Sequence, residues 1–166
     1  MTTNDKSKEA HQLVKKNKEE KLKYNIEKIV VPIQGDMLPD VKIYQDFNLA
    51  VIREMAKENN IKVETKAFPT FNDINIALER GDINVIPGIV QTYKKEEFAL
   101  TYSYFTGVIY LSNGEQLDSE KSYSMLVRKT DDELYNFFND MISKFNETGK
   151  LKELQIQYLG ERNHLK

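Results

Sequence analysis

The chain has 166 residues, a formal net charge of −2 and a pI near 5.8. It is therefore long enough to bury one hydrophobic core, and it lacks the excess of basic residues typical of nucleic-acid-binding proteins. It contains no cysteine, which excludes disulfides, thiol catalysis and cysteine-bound metal, and no apolar run approaches the ~20 residues of a membrane-spanning helix.

Residues 1–27 form a polar segment with few apolar side chains. The first 28 residues hold eight lysines and five acidic residues, a composition typical of a solvated helix or a spacer. We predict that the folded domain spans 28–166. The start, MTTNDKSKEAHQ, does not resemble a signal peptide; if the domain is tethered to a membrane, we expect Met1 to stand where the natural leader and lipid anchor would be.

The next part of the chain shows a strand, a helix and a second strand in succession. The apolar run KIVVPI over 28–33 predicts a strand that ends at a turn over 34–36. Apolar residues recur at helical spacing over 46–59 and predict an amphipathic helix. The run over 61–66 is the second predicted strand.

A helix with clear start and stop signals comes next, followed by a buried strand. Thr70 is suited to cap the start of this helix, and Gly81 tolerates the left-handed conformation that commonly ends one. The run over 83–86 is typical of a strand covered on both faces, and Pro87-Gly88 is expected to end it. In open α/β sheets, ligands bind where such strands end.

The second half of the chain is expected to contain an antiparallel pair of strands. A short helical turn over 92–98 leads to predicted strands over 102–111 and 123–128, with a chain reversal at Asn113-Gly114. Two amphipathic helices then close the chain.

This order of elements predicts an α/β fold. We expect a single Rossmann-like lobe with a mostly parallel five-stranded sheet, one antiparallel hinge-type strand, and helices on both faces.

The sequence shows no catalytic or metal-binding motif. Its two histidines, His11 and His164, lie near the ends of the chain, and acidic pairs such as Asp131-Asp132 fall where helix capping explains them. No Asp, Glu or His cluster has metal-ligand spacing. We therefore expect a protein that is not an enzyme and that uses neither metal nor cofactor.

A binding site is the remaining expectation, because three turns should meet at the carboxyl ends of the strands: 34–39, 69–71 and 88–95. They offer backbone N–H groups, aromatic faces and cations, which suit a small polar solute with a carboxylate. The candidate residues are Asp36, Tyr44, Phe71, Gly88, Thr92, Lys94 and Lys95. An alternative remains open, in which Phe71 belongs to the core and both lysines are ordinary surface charges.

Three segments occur in an order and spacing that point to a family: DFNLAVIREMAKENNIKVE, FNDINIALERGDINVIPGIVQTYKKEEFALTYSYF and YSMLVRKTDDELYNFFNDMISKFNETGKLKELQIQYLG. Together they resemble the bacterial extracellular solute-binding proteins, family 3, which serve amino-acid ABC importers. The resemblance covers most of 29–160 and implies a type II periplasmic-binding-protein fold. Family members insert a second lobe where this chain has only SNGEQLDSEK over 112–121, so the resemblance implies the first lobe alone, with a short hairpin in place of the second.

The resemblance also assigns site residues. The position of the family's ligand-holding threonine corresponds to Val90, which joins the candidate ligand-binding residues. The family's carboxylate-binding arginine corresponds to Lys95, with Lys94 as the alternative, and a lysine lacks the bidentate fork of an arginine. Two family aspartates correspond to Asn48 and Asn84.

The function implied by the resemblance is a non-catalytic, extracytoplasmic binding module, anchored at the cell surface. It would bind a small carboxylate-bearing solute, such as an amino acid or short peptide, weakly from one side, or dock a partner protein through the exposed cleft face. The docking expectation predicts an exposed apolar patch formed by Phe71, Ile89, Val90 and Tyr93.

Two alternatives remain. One is an enzyme that uses Asp36 with Lys94 or Lys95. The other is a homodimer, in which two copies pair cleft to cleft or exchange the 112–121 hairpin.

Overall fold

The computed structural model describes residues 24–35, 37, 39–110, 115–116 and 119–160, with the backbone alone at positions 39 and 40. The elements within these ranges, in chain order, are β1 (Lys28–Gln34), α1 (Pro39–Lys57), β2 (Lys62–Phe68), α2 (Phe71–Arg80), β3 (Ile86–Val90), β4 (Phe98–Leu100), β5 (Phe105–Gly107), β6 (Lys121–Arg128), α3 (Asp132–Thr148) and α4 (Lys150–Leu159). The α/β class predicted from the sequence is confirmed.

The strands form two sheets. β1 and β2 pair in parallel over their full length, and β6 pairs antiparallel with β3, β4 and β5. The two sheets meet at Asn84, whose N–H donates to Val30 O at 3.0 Å and whose Oδ1 accepts from Val30 N–H at 2.7 Å. The predicted mostly parallel five-stranded sheet is only partly matched, because the strands are divided between two sheets and all three pairings of β6 are antiparallel.

The strand β3 also differs from the prediction. It begins at Ile86 and continues through Pro87-Gly88, where the register with β6 shifts between Ile86 and Ile89. Pro87-Gly88 thus forms an irregularity within the strand and does not end it. The predicted helical turn over 92–98 is wrong as well, because this segment consists of turns that lead into β4.

The predicted antiparallel pairing of the later strands is confirmed, although β5 covers only three residues of the expected strand over 102–111. Beyond β5, Tyr110 forms an isolated antiparallel bridge with Gln116. The predicted reversal at Asn113-Gly114 lies outside the described residues.

The helix α2 follows its sequence signals closely. Thr70 Oγ1 accepts a hydrogen bond from Asp73 N–H at 3.1 Å, and Gly81 ends the helix in the left-handed conformation with φ 84°. The helix α1, in contrast, begins at Pro39, well before the predicted position 46. Proline fits the first turn of a helix, and buried Tyr44 extends the apolar stripe of α1 toward its start.

Helices cover both faces of the second sheet. On one face, Met125 and Val127 of β6 join the larger core cluster with residues of α1, α3 and α4. On the other face, Leu126 joins a smaller cluster with residues of α2. The helices α1 and α2 therefore pack on opposite faces of the second sheet.

The chain just before β1 packs against α3. The rings of Tyr24 and Phe137 pack edge-on with their centroids 5.0 Å apart, and the Tyr24 hydroxyl donates a hydrogen bond to the Asp140 carboxylate. Residues 1–23 lie outside the described ranges, so the polar spacer stays a prediction. Among the helices that are described, none is long and apolar enough to cross a bilayer.

Candidate functional site

The irregular part of β3 lies in close contact with α1. Gly88 has φ 74°, and a Cβ atom at this position would lie 2.6 Å from Asn48 Nδ2. Side chains rarely adopt this backbone conformation, and no real Cβ contact is that short. Glycine therefore allows β3 and α1 to approach each other here.

A buried tyrosine fixes the orientation of the Asn48 amide. Tyr104 is 4% exposed, and its hydroxyl donates to Asn48 Oδ1 at 2.5 Å. Burial raises the pKa of Tyr104, while a hydrogen bond with the Gly88 backbone acts in the opposite direction. The phenol stays protonated at neutral pH and holds Oδ1, which leaves Nδ2 as the free end of the amide.

A cavity of about 240 Å³ opens beside this contact. Its lining comes from the end of β1, the first half of α1, the start of α2, and β3. Most of the lining is apolar, with the aliphatic side chains Val31, Ile33, Val41, Leu49, Ile74, Ile86 and Ile89. Such a mostly apolar cavity with a few polar groups is typical of small-molecule sites.

Several polar groups of the lining already have partners. Gln45 Oε1 accepts from Gln34 N–H at 2.8 Å, and Gln45 Nε2 donates to Gln34 O at 3.5 Å. The Tyr44 hydroxyl accepts from Tyr110 N–H at 3.1 Å. Asn48 Nδ2, in contrast, donates to no group among the described residues.

Three of the predicted site residues meet at this cavity. Tyr44 and Gly88 line it, and so does Phe71, the first residue of α2, which remains 44% exposed. The alternative that Phe71 is a core residue is wrong. Asp36 lies outside the described residues.

The other predicted site residues lie elsewhere. Val90 pairs with Tyr123 in the sheet, and Thr92 is exposed in the turn after β3. Lys94 and Lys95 line a separate pocket that shares no residue with the cavity.

The lysine pocket is a surface feature next to β4. Its lining includes Tyr93, Glu96 and Lys129, and Lys95 Nζ lies 5.3 Å from the centre of the Phe98 ring. The expected apolar patch is not formed, because Ile89 is buried and, of its four residues, only Phe71 is exposed.

Sequence reasoning missed Asn48 as a site residue. The signal was its place four residues after Tyr44, which puts both on one face of a helix. The predicted helix began only at 46, so this relation could not be used. Within the described ranges, no group of three or more His, Asp or Glu side chains could hold a metal ion.

Comparison with known proteins identifies the family. The model of the bacterial extracellular solute-binding proteins, family 3, matches residues 37–161. The chain therefore belongs to this family, whose members bind solutes outside the cytoplasm. A search of curated protein sequences found no match.

Solved structures of amino-acid-binding periplasmic proteins share the fold. The chain is similar to the probable amino-acid ABC transporter extracellular-binding protein ytmK from Bacillus subtilis, with TM-score 0.64, 11% identity, and coverage of 83% of this chain and 100% of that chain. It is also similar to the GluR0 ligand-binding core from Nostoc punctiforme in complex with L-glutamate, with TM-score 0.62, 11% identity, and coverage of 80% and 99%.

A single domain of such a protein also matches. A mutant of domain 1 of TmArgBP, the ArgBP of T. maritima, in its arginine-bound form has TM-score 0.54 and 19% identity, with coverage of 73% of this chain and 93% of that chain. At these identities the likeness shows the fold alone. The described residues agree with one lobe of a periplasmic binding protein.

Proposed function

We propose that this chain is a non-catalytic, extracytoplasmic binding module that holds a small solute in the cavity between α1 and β3. The observation that carries the proposal is the cavity, whose apolar lining surrounds a fixed amide with a free donor. Two of the similar structures hold small solutes, L-glutamate in one and arginine in the other, which supports the choice of a small molecule.

Binding by this module should be weak. One lobe covers a solute from one side only, so less of its surface is removed from water than in a closed two-lobe cleft. A dissociation constant on the order of a millimolar, about −4 kcal/mol, is the expected range for a small solute held in this way.

The proposed absence of catalysis is supported by the chemistry of the lining. No charged side chain is found among the described residues that line the cavity. The alternative enzyme needed Asp36 with Lys94 or Lys95, and both lysines line the other pocket. For the same reason the expected carboxylate on the solute stays a prediction, without support from the cavity.

A second candidate function is docking of a partner protein through the same face. The exposed ring of Phe71 at the cavity favours it, because an accessible aromatic side chain beside a pocket is a common anchor in interfaces. Cleft-to-cleft pairing of two copies would use this ring as well, and sedimentation of the purified chain distinguishes a dimer from a monomer.

Calorimetry with a panel of amino acids, short peptides and small uncharged amides tests the proposal. We expect at least one solute to bind, and the variant Phe71→Ala to weaken it by about tenfold, or about 1.4 kcal/mol. Tyr102→Ala is the matched control, because Tyr102 is 56% exposed and does not line the cavity. No heat with any solute would overturn the solute-binding proposal and favour docking.

A further inference from the structure

We propose that the cavity selects an uncharged ligand group, with an oxygen that accepts a hydrogen bond from Asn48 Nδ2 and a branched aliphatic body. This inference rests on the proposed function, which puts the solute in the cavity, and adds the chemical class of that solute. It departs from the carboxylate expected from the resemblance.

The absence of a charge partner is the first argument. Among the described residues that line the cavity, the polar side chains are Gln34, Tyr44, Gln45 and Asn48, and none is an acid or a base at neutral pH. A carboxylate or ammonium group placed there would lose its hydration without gaining an opposite charge, which is costly in an apolar environment. An uncharged group avoids this cost.

The second argument is the free donor. Tyr104 holds Asn48 Oδ1, so the amide cannot rotate its oxygen toward the cavity without losing this hydrogen bond. Nδ2 is consequently presented as a donor, and no described protein group accepts from it. A carbonyl oxygen of the ligand would satisfy it, and a ligand without an acceptor would leave it unpaired.

The shape of the lining supplies the third argument. Ile74 of α2, Ile86 and Ile89 of β3, and Val41 and Leu49 of α1 all line the cavity. Branched aliphatic side chains from three elements favour a ligand with a compact aliphatic body, because contact with apolar groups removes apolar surface from water.

Three small compounds with the same branched carbon skeleton separate the charge states: isovaleramide, isovalerate and isoamylamine. Each is titrated into the isotope-labelled full chain, and NMR follows the side-chain amide of Asn48 together with the backbone amides of Gly88 and Ile89. We expect isovaleramide to shift all three signals, and isovalerate and isoamylamine to bind at least tenfold more weakly.

The variant Asn48→Asp tests the role of the donor. It keeps an oxygen that accepts from Tyr104, and replaces Nδ2 by a charged oxygen. We expect isovaleramide to bind at least tenfold more weakly and isoamylamine to bind more tightly than to the natural chain. Asn146→Asp is the control, because it adds the same charge at an exposed position of α3 that does not line the cavity.

Several outcomes would overturn the inference. Isovalerate or isoamylamine binding as tightly as isovaleramide would show that the cavity does not exclude charge. Failure of all three compounds to shift the cavity signals would also overturn it. If a charged amino acid of the calorimetry panel then bound with Phe71→Ala sensitivity, the proposed function would stand and this inference alone would fail.

Discussion

Replacing Gly88 by alanine should disrupt the contact between β3 and α1. The new Cβ would meet Asn48 Nδ2 at 2.6 Å, and the residue would keep φ 74°, which L side chains rarely adopt. The backbone conformation alone costs about 1–2 kcal/mol. Displacing the Asn48 amide would leave the buried Tyr104 hydroxyl without its acceptor, which costs a further ~1–3 kcal/mol. We expect a total loss of about 2–5 kcal/mol in the free energy of unfolding.

Equilibrium denaturation of the full chain by urea measures this loss. Gly149→Ala is the matched control, because Gly149 has φ 79° with no atom within 4 Å of its Cβ position, so the variant should show only the backbone cost. In an Asn48→Ala background the clash is gone, and Gly88→Ala should then cost no more than Gly149→Ala. Equal losses for the two glycine variants in the natural background would refute the reasoning.

Three further variants test contacts around the fold. Asn139→Ala removes the buried oxygen that accepts from Tyr102 N–H at 2.8 Å, so unfolding free energy should fall by about 1–3 kcal/mol in urea denaturation. Thr70→Ala removes the cap of α2 and should cost about 1 kcal/mol in the same assay. Burial and a hydrogen bond to Asp140 raise the pKa of Tyr24. The contribution of Tyr24 to stability is therefore complete below pH 10 and is lost as the pH rises further. In Tyr24→Phe, the free energy of unfolding should fall less steeply above pH 10 than in the natural chain.

Each of these expectations can fail in its own way. An Asn139→Ala variant as stable as the natural chain would contradict the predicted cost of leaving Tyr102 N–H without this acceptor. Thr70→Ser is the control, because serine keeps the capping hydroxyl. If Thr70→Ser lowered the free energy of unfolding as much as Thr70→Ala, the hydroxyl would not be the cause of the loss. Parallel stability curves for Tyr24→Phe and the natural chain above pH 10 would contradict the assigned pKa shift.

The sequence predicts local structure well where the signals lie next to each other in the chain. Thr70 and Gly81 define α2 because an N-cap and a left-handed C-cap act within one turn of the helix. The strand β3 was harder, since Pro87-Gly88 is equally compatible with a strand end and with a bulge. Only the pairing of Ile89 with Ser124, far along the chain, decides between them.

The same distinction applies to the site. That Phe71 and Gly88 line one cavity follows from the rule that ligand sites lie at strand ends and turns, whereas their role in binding stays a prediction. Asn48 was missed because the helix was predicted to begin only at 46, and the orientation of its amide depends on Tyr104, which is 56 residues away in the chain.

Lys94 and Lys95 were assigned to the predicted binding site because they follow the Gly88 turn in sequence and correspond to the family's carboxylate-binding arginine. Pairing of Phe98 with Arg128 instead places the segment before β4 near Lys129, and Lys94 and Lys95 line the pocket there. Strand pairing across the sheet, which sequence spacing does not reveal, therefore decides their position.

The location of solute binding is tested most directly by mapping NMR chemical shifts of the full chain during titration with the amino-acid panel and isovaleramide. We predict that a binding solute shifts the signals of Asn48, Phe71 and Gly88 and leaves those of Lys95 and Lys129 unchanged. Shifts confined to the lysine pocket, or no shift with any compound, would contradict the account.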